Sequence, residues 1–138
     1  MKQYTVHEIA ELTGLTAHTV RYYDDQNLIP GVDRGANGKR LFSENQIEWV
    51  QLVRCLRSTG MSIADIRHYI ELCGEGDGTA YERYQIILAQ KEKALAEMQE
   101  MQHRLEILSR KEQIYVDLLE KKAPDLLNPA AKLASPDR

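Results

Sequence analysis

Apolar residues recur with helical spacing along most of the chain, and the breaks in that pattern mark several short elements followed by one long one. Thr5 precedes the periodic set Val6, Ile9 and Ala10, and Glu8 stands three residues after it, the arrangement of a capping box; Gly14 stops this first helix. Thr16 caps a second helix, predicted from Ala17 to about Gln26, after a turn containing Gly14 and Leu15. Two short helices joined by a tight glycine turn outline a helix-turn-helix. Val6, Ile9, Ala10, Leu12, Leu15, Val20 and Leu28 are expected to form its core. His18, Thr19, Arg21, Tyr22 and Tyr23 remain as the functional content of the second helix.

Leu28-Ile29-Pro30-Gly31 ends this pair, and Val32 to Phe42 is too rich in Gly and Asn for a helix. Asn37-Gly38 is a hairpin turn signal between Val32 and Leu41-Phe42, so a small β-hairpin carrying Arg34, Lys39 and Arg40 is predicted. Ser43, with Gln46 three residues on, caps a third helix whose apolar face is Trp49, Leu52, Val53 and Leu56, ending at Gly60. Ser62, with Asp65 behind it, caps a fourth that buries Ile63, Ile66, Ile70 and Leu72.

The segment Gly74 to Gly78 reads as a domain boundary. Beyond it the chain has no Gly, and no Pro before Pro124, which predicts one helix on the order of 60–65 Å long. Tyr84, Ile87, Lys91, Ala94, Met98, Met101, Leu105, Leu108, Glu112, Tyr115 and Leu119 follow one another in alternating steps of three and four. Only Lys91 and Glu112 interrupt this coiled-coil seam. A helix of this length cannot bury such a stripe against a domain of some 75 residues, and the simplest partner is its twin in a homodimer. Three regions are therefore expected: a winged helix-turn-helix domain over 1–75, a dimerisation helix over 79–122, and a mobile tail over 123–138. The fold class is mainly α, a winged helix-turn-helix with a hairpin wing followed by a long coiled-coil helix.

Composition narrows the class. The chain has 138 residues, 43% hydrophobic, 28% charged and 7% aromatic, with mean hydropathy −0.49. No run approaches the length of a membrane span, and the start of the chain lacks the apolar stretch of a signal peptide. Cys55 and Cys73 make neither a disulfide framework nor a closed zinc site, so a reducing, cytoplasmic location is expected. No Ser/His/Asp arrangement, phosphate loop or paired-carboxylate pocket suggests an enzyme, and no cofactor or metal is expected. Net charge is −3, which argues against nucleic acid until its distribution is considered. Residues 1–58 balance seven bases against seven acids, and Arg34, Lys39 and Arg40 share the hairpin with Asp33 alone.

A helix-turn-helix, a basic hairpin and a dimerising helix together make a two-fold reader of duplex DNA. Arg21 reaches guanine or phosphate bidentately, Tyr22 and Tyr23 offer hydroxyls to phosphates, and the hairpin cations Arg34, Lys39 and Arg40 reach the adjacent backbone or minor groove as a wing. Dimerisation doubles these contacts and demands a pseudo-palindromic site. Blander readings stand beside this one. Paired helices occur in many all-α proteins, the tyrosines suit a core, the cations suit a solvated surface, and the seam suits a coiled-coil interaction module that never meets DNA.

Thr19-Val-Arg-Tyr-Tyr-Asp24, Asn27-Leu-Ile-Pro30, Gly38-Lys-Arg40 and Phe42 resemble the N-terminal signature of the MerR family of bacterial transcription regulators. The similarity covers residues 4–72 and continues into the long helix, which the resemblance implies is an antiparallel dimerisation element. It implies that Arg21, Tyr22 and Tyr23 contact DNA, that Thr16, His18 and Thr19 face the same groove, and that Arg34 and Arg40 serve the wing. The chain departs from the usual pattern in Asp24 for Glu, in Lys39 for an aromatic, and in Phe42 for a frequent Tyr. The implied mechanism is distortion of a promoter whose −35 and −10 elements are too far apart, with RNA polymerase held there.

The resemblance also bears on what is sensed. Metal-sensing members carry cysteines after the long helix, and here no Cys or His follows His103. Drug-binding members append a large ligand domain, for which residues up to 138 leave no room. Arg54-Cys-Leu-Arg57, Ser58 to Ile63, Gly76 to Thr79 and Glu82-Arg83 resemble the aldehyde- and electrophile-responsive NmlR/AdhR-like subgroup, which makes Cys55 the expected sensor thiol. Nearby Arg54 and Arg57 favour a thiolate there. Cys55 reads equally as a small buried hydrophobe beside Leu52 and Leu56, and the effector as a noncovalent ligand between the DNA domain and the long helix. The seam residues expected to dimerise are Ile87, Ala94, Met98, Met101, Leu105, Leu108, Tyr115 and Leu119.

Overall fold

A computed structural model describes residues 2–121 and 123–133. Helix α1 spans Val6–Thr13. Its capping box is complete: Thr5 Oγ1 accepts from the Glu8 N–H at 3.2 Å, and the Glu8 carboxylate accepts from the Thr5 N–H at 2.9 Å. Gly14 closes the helix at φ 74°, the left-handed region that a side chain would strain. Thr16 then caps α2, Ala17–Asp25, accepting from the Thr19 N–H at 3.1 Å. After α2, Asn27 takes the left-handed conformation at φ 62°, and the next two residues, Leu28 and Ile29, are buried.

Strands β1 (Asp33–Arg34) and β2 (Arg40–Leu41) pair antiparallel, with Asp33 opposite Leu41 and Arg34 opposite Arg40. Their loop turns as the Asn-Gly pair predicts: Gly38 sits at φ 79°, and the Asn37 side-chain oxygen accepts from the Lys39 N–H at 3.1 Å. Tyr4 and Phe42 exchange two backbone hydrogen bonds, 2.7 and 2.9 Å, tying the chain's start to the outgoing side of the hairpin.

Helices α3 (Glu44–Ser58) and α4 (Ile63–Glu75) follow, then a single 3-10 turn, Asp77–Thr79, and α5, Ala80–Leu119. A short α6, Pro129–Leu133, lies within the segment expected to be a mobile tail; residues 134–138 of that segment fall outside the described residues. The chain divides into two compact units, Met1–Lys91 and Glu92–Arg138, so the division falls within α5 rather than at Gly74–Gly78.

The first unit holds the core, with Ile9, Val20, Leu28, Phe42, Val50, Val53, Met61 and Ile66 fully buried. Four details differ from the sequence pattern. Leu12, expected in the core, is 55% exposed. On α3 the buried line runs Gln46, Val50, Val53, Leu56, while Trp49 and Leu52 are half-buried at its edge. The third helix stops at Ser58, one turn residue ahead of Gly60. Gly74 lies inside α4, and the apparent break is a folded turn: buried Thr79 donates to the carbonyls of Leu72 at 2.7 Å and Gly76 at 2.8 Å, and accepts from Arg83 Nε at 3.1 Å. The start of α5 belongs to this unit, through Ile86 packed on the core and Gln90 donating to the Thr59 carbonyl at 2.9 Å. In the second unit α5 leaves a stripe from Met98 to Leu119 exposed, and no residue of α5 is buried. Among the described residues no helix is long and apolar enough to cross a membrane.

Candidate nucleic-acid interface

The two faces of α2 are sharply different. Val20 and Tyr23 turn inward, while His18, Arg21 and Tyr22 share the outward face at helical spacing. Tyr22 is 43% exposed, and its ring lies 6.3 Å from that of Tyr23. Tyr23, expected beside Tyr22 as a DNA contact, is only 6% exposed and belongs chiefly to the core. At the head of the helix the hydroxyls of Thr16 and Thr19 are 2.8 Å apart, so both are partly committed to holding the cap.

The hairpin stands beside this face. Arg21, Arg34, Lys39 and Arg40, together with Thr5 and His7 at the start of α1, line an open groove of about 890 Å³. Arg21, Arg34 and Lys39 are exposed and form no ion pair among the described residues; Arg34 Nη1 donates to the Gly38 carbonyl at 3.1 Å, which steadies its base across the turn. Arg40 behaves differently from the other hairpin cations. Its Nε meets Asp24 at 2.8 Å and its Nη2 meets Asp25 at 2.6 Å, with the Arg40 side chain 14% exposed. It spends its charge on fastening the wing to α2. The groove is thus lined by three free cations and the His7 imidazole, with His18 and Tyr22 exposed on the same helix as Arg21, a donor set suited to phosphate oxygens and base edges.

Glu8 is the group near this groove whose pKa is displaced. The Thr5 backbone N–H that donates to its carboxylate, then the Thr5 hydroxyl, hold it below the ordinary glutamate value. Cys55 is exposed on α3, which removes the reading of a buried hydrophobe, and Cys73 is half-buried. The two arginines beside Cys55 in sequence turn elsewhere. The Arg54 guanidinium lies against the turn at Gly14, and Arg57 Nη1 donates to the Met61 carbonyl at 2.9 Å. Among the described residues no cluster of three or more His, Cys, Asp or Glu side chains gathers to hold a metal.

A helix-turn-helix with an exposed basic recognition face and a wing fastened beside it defines a DNA-binding protein of the winged helix-turn-helix class. The profile of the MerR HTH regulatory protein family matches residues 4–73, and that of the MerR DNA-binding region matches residues 47–110. The chain belongs to the MerR family of transcriptional regulators. It is 35% identical over 112 residues to an uncharacterised HTH-type transcriptional regulator of Haemophilus influenzae, covering 81% of this chain and 83% of that one. It is 36% identical over 88 residues to the HTH-type transcriptional regulator AdhR of Bacillus subtilis, covering 64% of this chain and 63% of that protein. Among solved structures it is similar to HiNmlR, a MerR family regulator lacking the sensor domain and bound to promoter DNA. That match has TM-score 0.67 and 34% identity, and covers 84% of this chain and 92% of the other.

Proposed function

We propose that the protein acts as a homodimer on a pseudo-palindromic promoter, with α2 of each copy in a major groove and the wing on the flanking backbone. Arg21 reads a base edge or phosphate, His18 and Tyr22 accompany it, and Thr16 and Thr19 approach the same groove from the cap. Tyr23 contributes its hydroxyl alone, its ring being core. Arg34 and Lys39 hold the adjacent phosphates, and Arg40 sets their position. The observation that carries this reading is the set of three unpaired cations converging on the groove between α2 and the hairpin. In this reading RNA polymerase is held on the same promoter, and the spacer between its −35 and −10 elements is distorted when the regulator is activated. A cytoplasmic, non-enzymatic regulator fits that role.

The signal in this reading is an aldehyde or similar electrophile at Cys55. The exposed thiol supports access. On reaction the sulfur adds to the carbonyl carbon, a C–S bond forms, and the carbonyl oxygen takes the proton the thiol released, giving a hemithioacetal without any oxidant.

Two measurements test the proposal. Titration of the promoter upstream of the protein's own gene should give tight, specific binding, and Arg21→Ala should weaken it by about 1–3 kcal/mol at each half-site. An Arg21→Ala protein that binds as well as wild type removes the recognition-helix assignment. Transcription in vitro with and without formaldehyde or methylglyoxal should respond in the wild type and not in Cys55→Ser. A response that survives the substitution returns the search to a noncovalent ligand.

A further inference from the structure

Helix α5 presents a seam from Tyr84 to Leu119 with no covering partner in the single chain, and two of its positions carry charge. Lys91 and Glu112 are opposite in sign, both exposed, and neither forms an ion pair among the described residues. They sit three heptads apart, so they occupy the same kind of seam position. Placed at the centre of a pairing surface, each lone charge opposes association unless the occupant neutralises it.

A second copy of this chain does so in one orientation only. In a parallel, in-register pair Lys91 faces the partner's Lys91 and Glu112 faces the partner's Glu112, which sets like charges together twice. In an antiparallel pair the two kinds of seam position face one another. Two seatings then bring the apolar stretch together: Met98 opposite the partner's Met101, or Met101 opposite the partner's Leu105. In either, Lys91 lies three or four residues along the axis from the partner's Glu112, roughly 4.5–6 Å. A lysine stem spans that distance along an apolar surface. Sliding the pair by a further heptad in either direction removes the neighbour, with the offset growing to roughly 15 Å.

We propose that Lys91 and Glu112 are the self-recognition residues of this seam, forming two symmetry-related ion pairs that select a second copy, its antiparallel direction and its register. The inference rests on the homodimer reading above and adds to it the residues that choose the partner. The two charges cost the seam apolar contact and return specificity, because a foreign apolar helix leaves both unpaired.

Charge reversal in the full-length protein tests it, read by sedimentation equilibrium. Lys91→Glu and Glu112→Lys should each raise the dimer dissociation constant at least about tenfold, since each places like charges in both sites. The protein carrying both Lys91→Glu and Glu112→Lys should return to near wild-type affinity. Spin labels at exposed Gln113, with Cys55 and Cys73 replaced by Ser, should report roughly 30–40 Å across the dimer, whereas a parallel pair brings them within about 15 Å. A wild-type chain that sediments as a monomer overturns the homodimer reading and this inference with it. A wild-type dimer indifferent to the single reversals, not rescued by the double one, or showing the short label distance overturns this inference alone.

Discussion

Arg40 shows how a residue of the right type in the right motif takes a different task from its neighbours. Its guanidinium bridges Asp24 and Asp25 at the end of α2, and the pair with Asp24 is largely shielded from water. Charge-assisted hydrogen bonds of this kind contribute about 1.5–3 kcal/mol. Their effect here is geometric, since they fix the angle at which Arg34 and Lys39 meet the groove. Arg40→Ala leaves two carboxylates uncompensated beside a phosphate site, so it should weaken operator binding more than loss of one phosphate contact does. Adding Asp24→Asn and Asp25→Asn to Arg40→Ala should recover part of that loss, as measured by operator titration at fixed salt. A direct DNA contact by Arg40 predicts no recovery.

At the scale of elements, caps and turns were the most legible features, because they depend on residues three or four apart. Thr5 with Glu8, Thr16, Gly14, Asn37-Gly38 and Ser62 all stand where local spacing puts them. The third helix shows what local spacing leaves open. Trp49 is apolar enough to be counted in the core, yet its indole N–H donates to Asn45 at 3.0 Å and keeps it at the edge. Gln46 reads as polar but is buried, its oxygen accepting from Ser43 and its amide donating to the Pro30 carbonyl at 3.1 Å. That rotates the buried line toward Val50. Likewise the signature tyrosines and Arg40 were legible as a motif, whereas the turning-in of Tyr23 and the ion pairs of Arg40 depend on residues distant in sequence. The capping box of α1 yields a pH effect of definite sign. Glu8 has a lowered pKa in the folded chain, so its contribution is present above the unfolded glutamate value and is lost as pH falls through the folded value. Thermal melts of wild type and Glu8→Ala should therefore differ near neutrality and converge in acid. A gap that stays constant with pH means the carboxylate is not what closes the box.

At the scale of the whole molecule, the net charge of −3 and the DNA-binding role are reconciled by where the charges lie. Bases and acids balance over residues 1–58, so the entire excess of acid lies beyond the segment that carries the recognition helix and wing. Within the balanced part, Arg40 is neutralised internally by Asp24 and Asp25, and three of the six other cations, Arg21, Arg34 and Lys39, are gathered on one groove. The arithmetic of counterion release then gives a specific expectation. Three free cations per copy, two copies on one site, neutralise about six phosphates, and log affinity should fall against log salt with a slope of roughly −5. Arg34→Ala and Lys39→Ala should each flatten that slope by roughly 2, one phosphate per half-site, without changing which sequence is preferred. Binding that is insensitive to salt, or a slope unmoved by either wing substitution, removes the hairpin from the interface and leaves the long helix as the chain's main interacting surface.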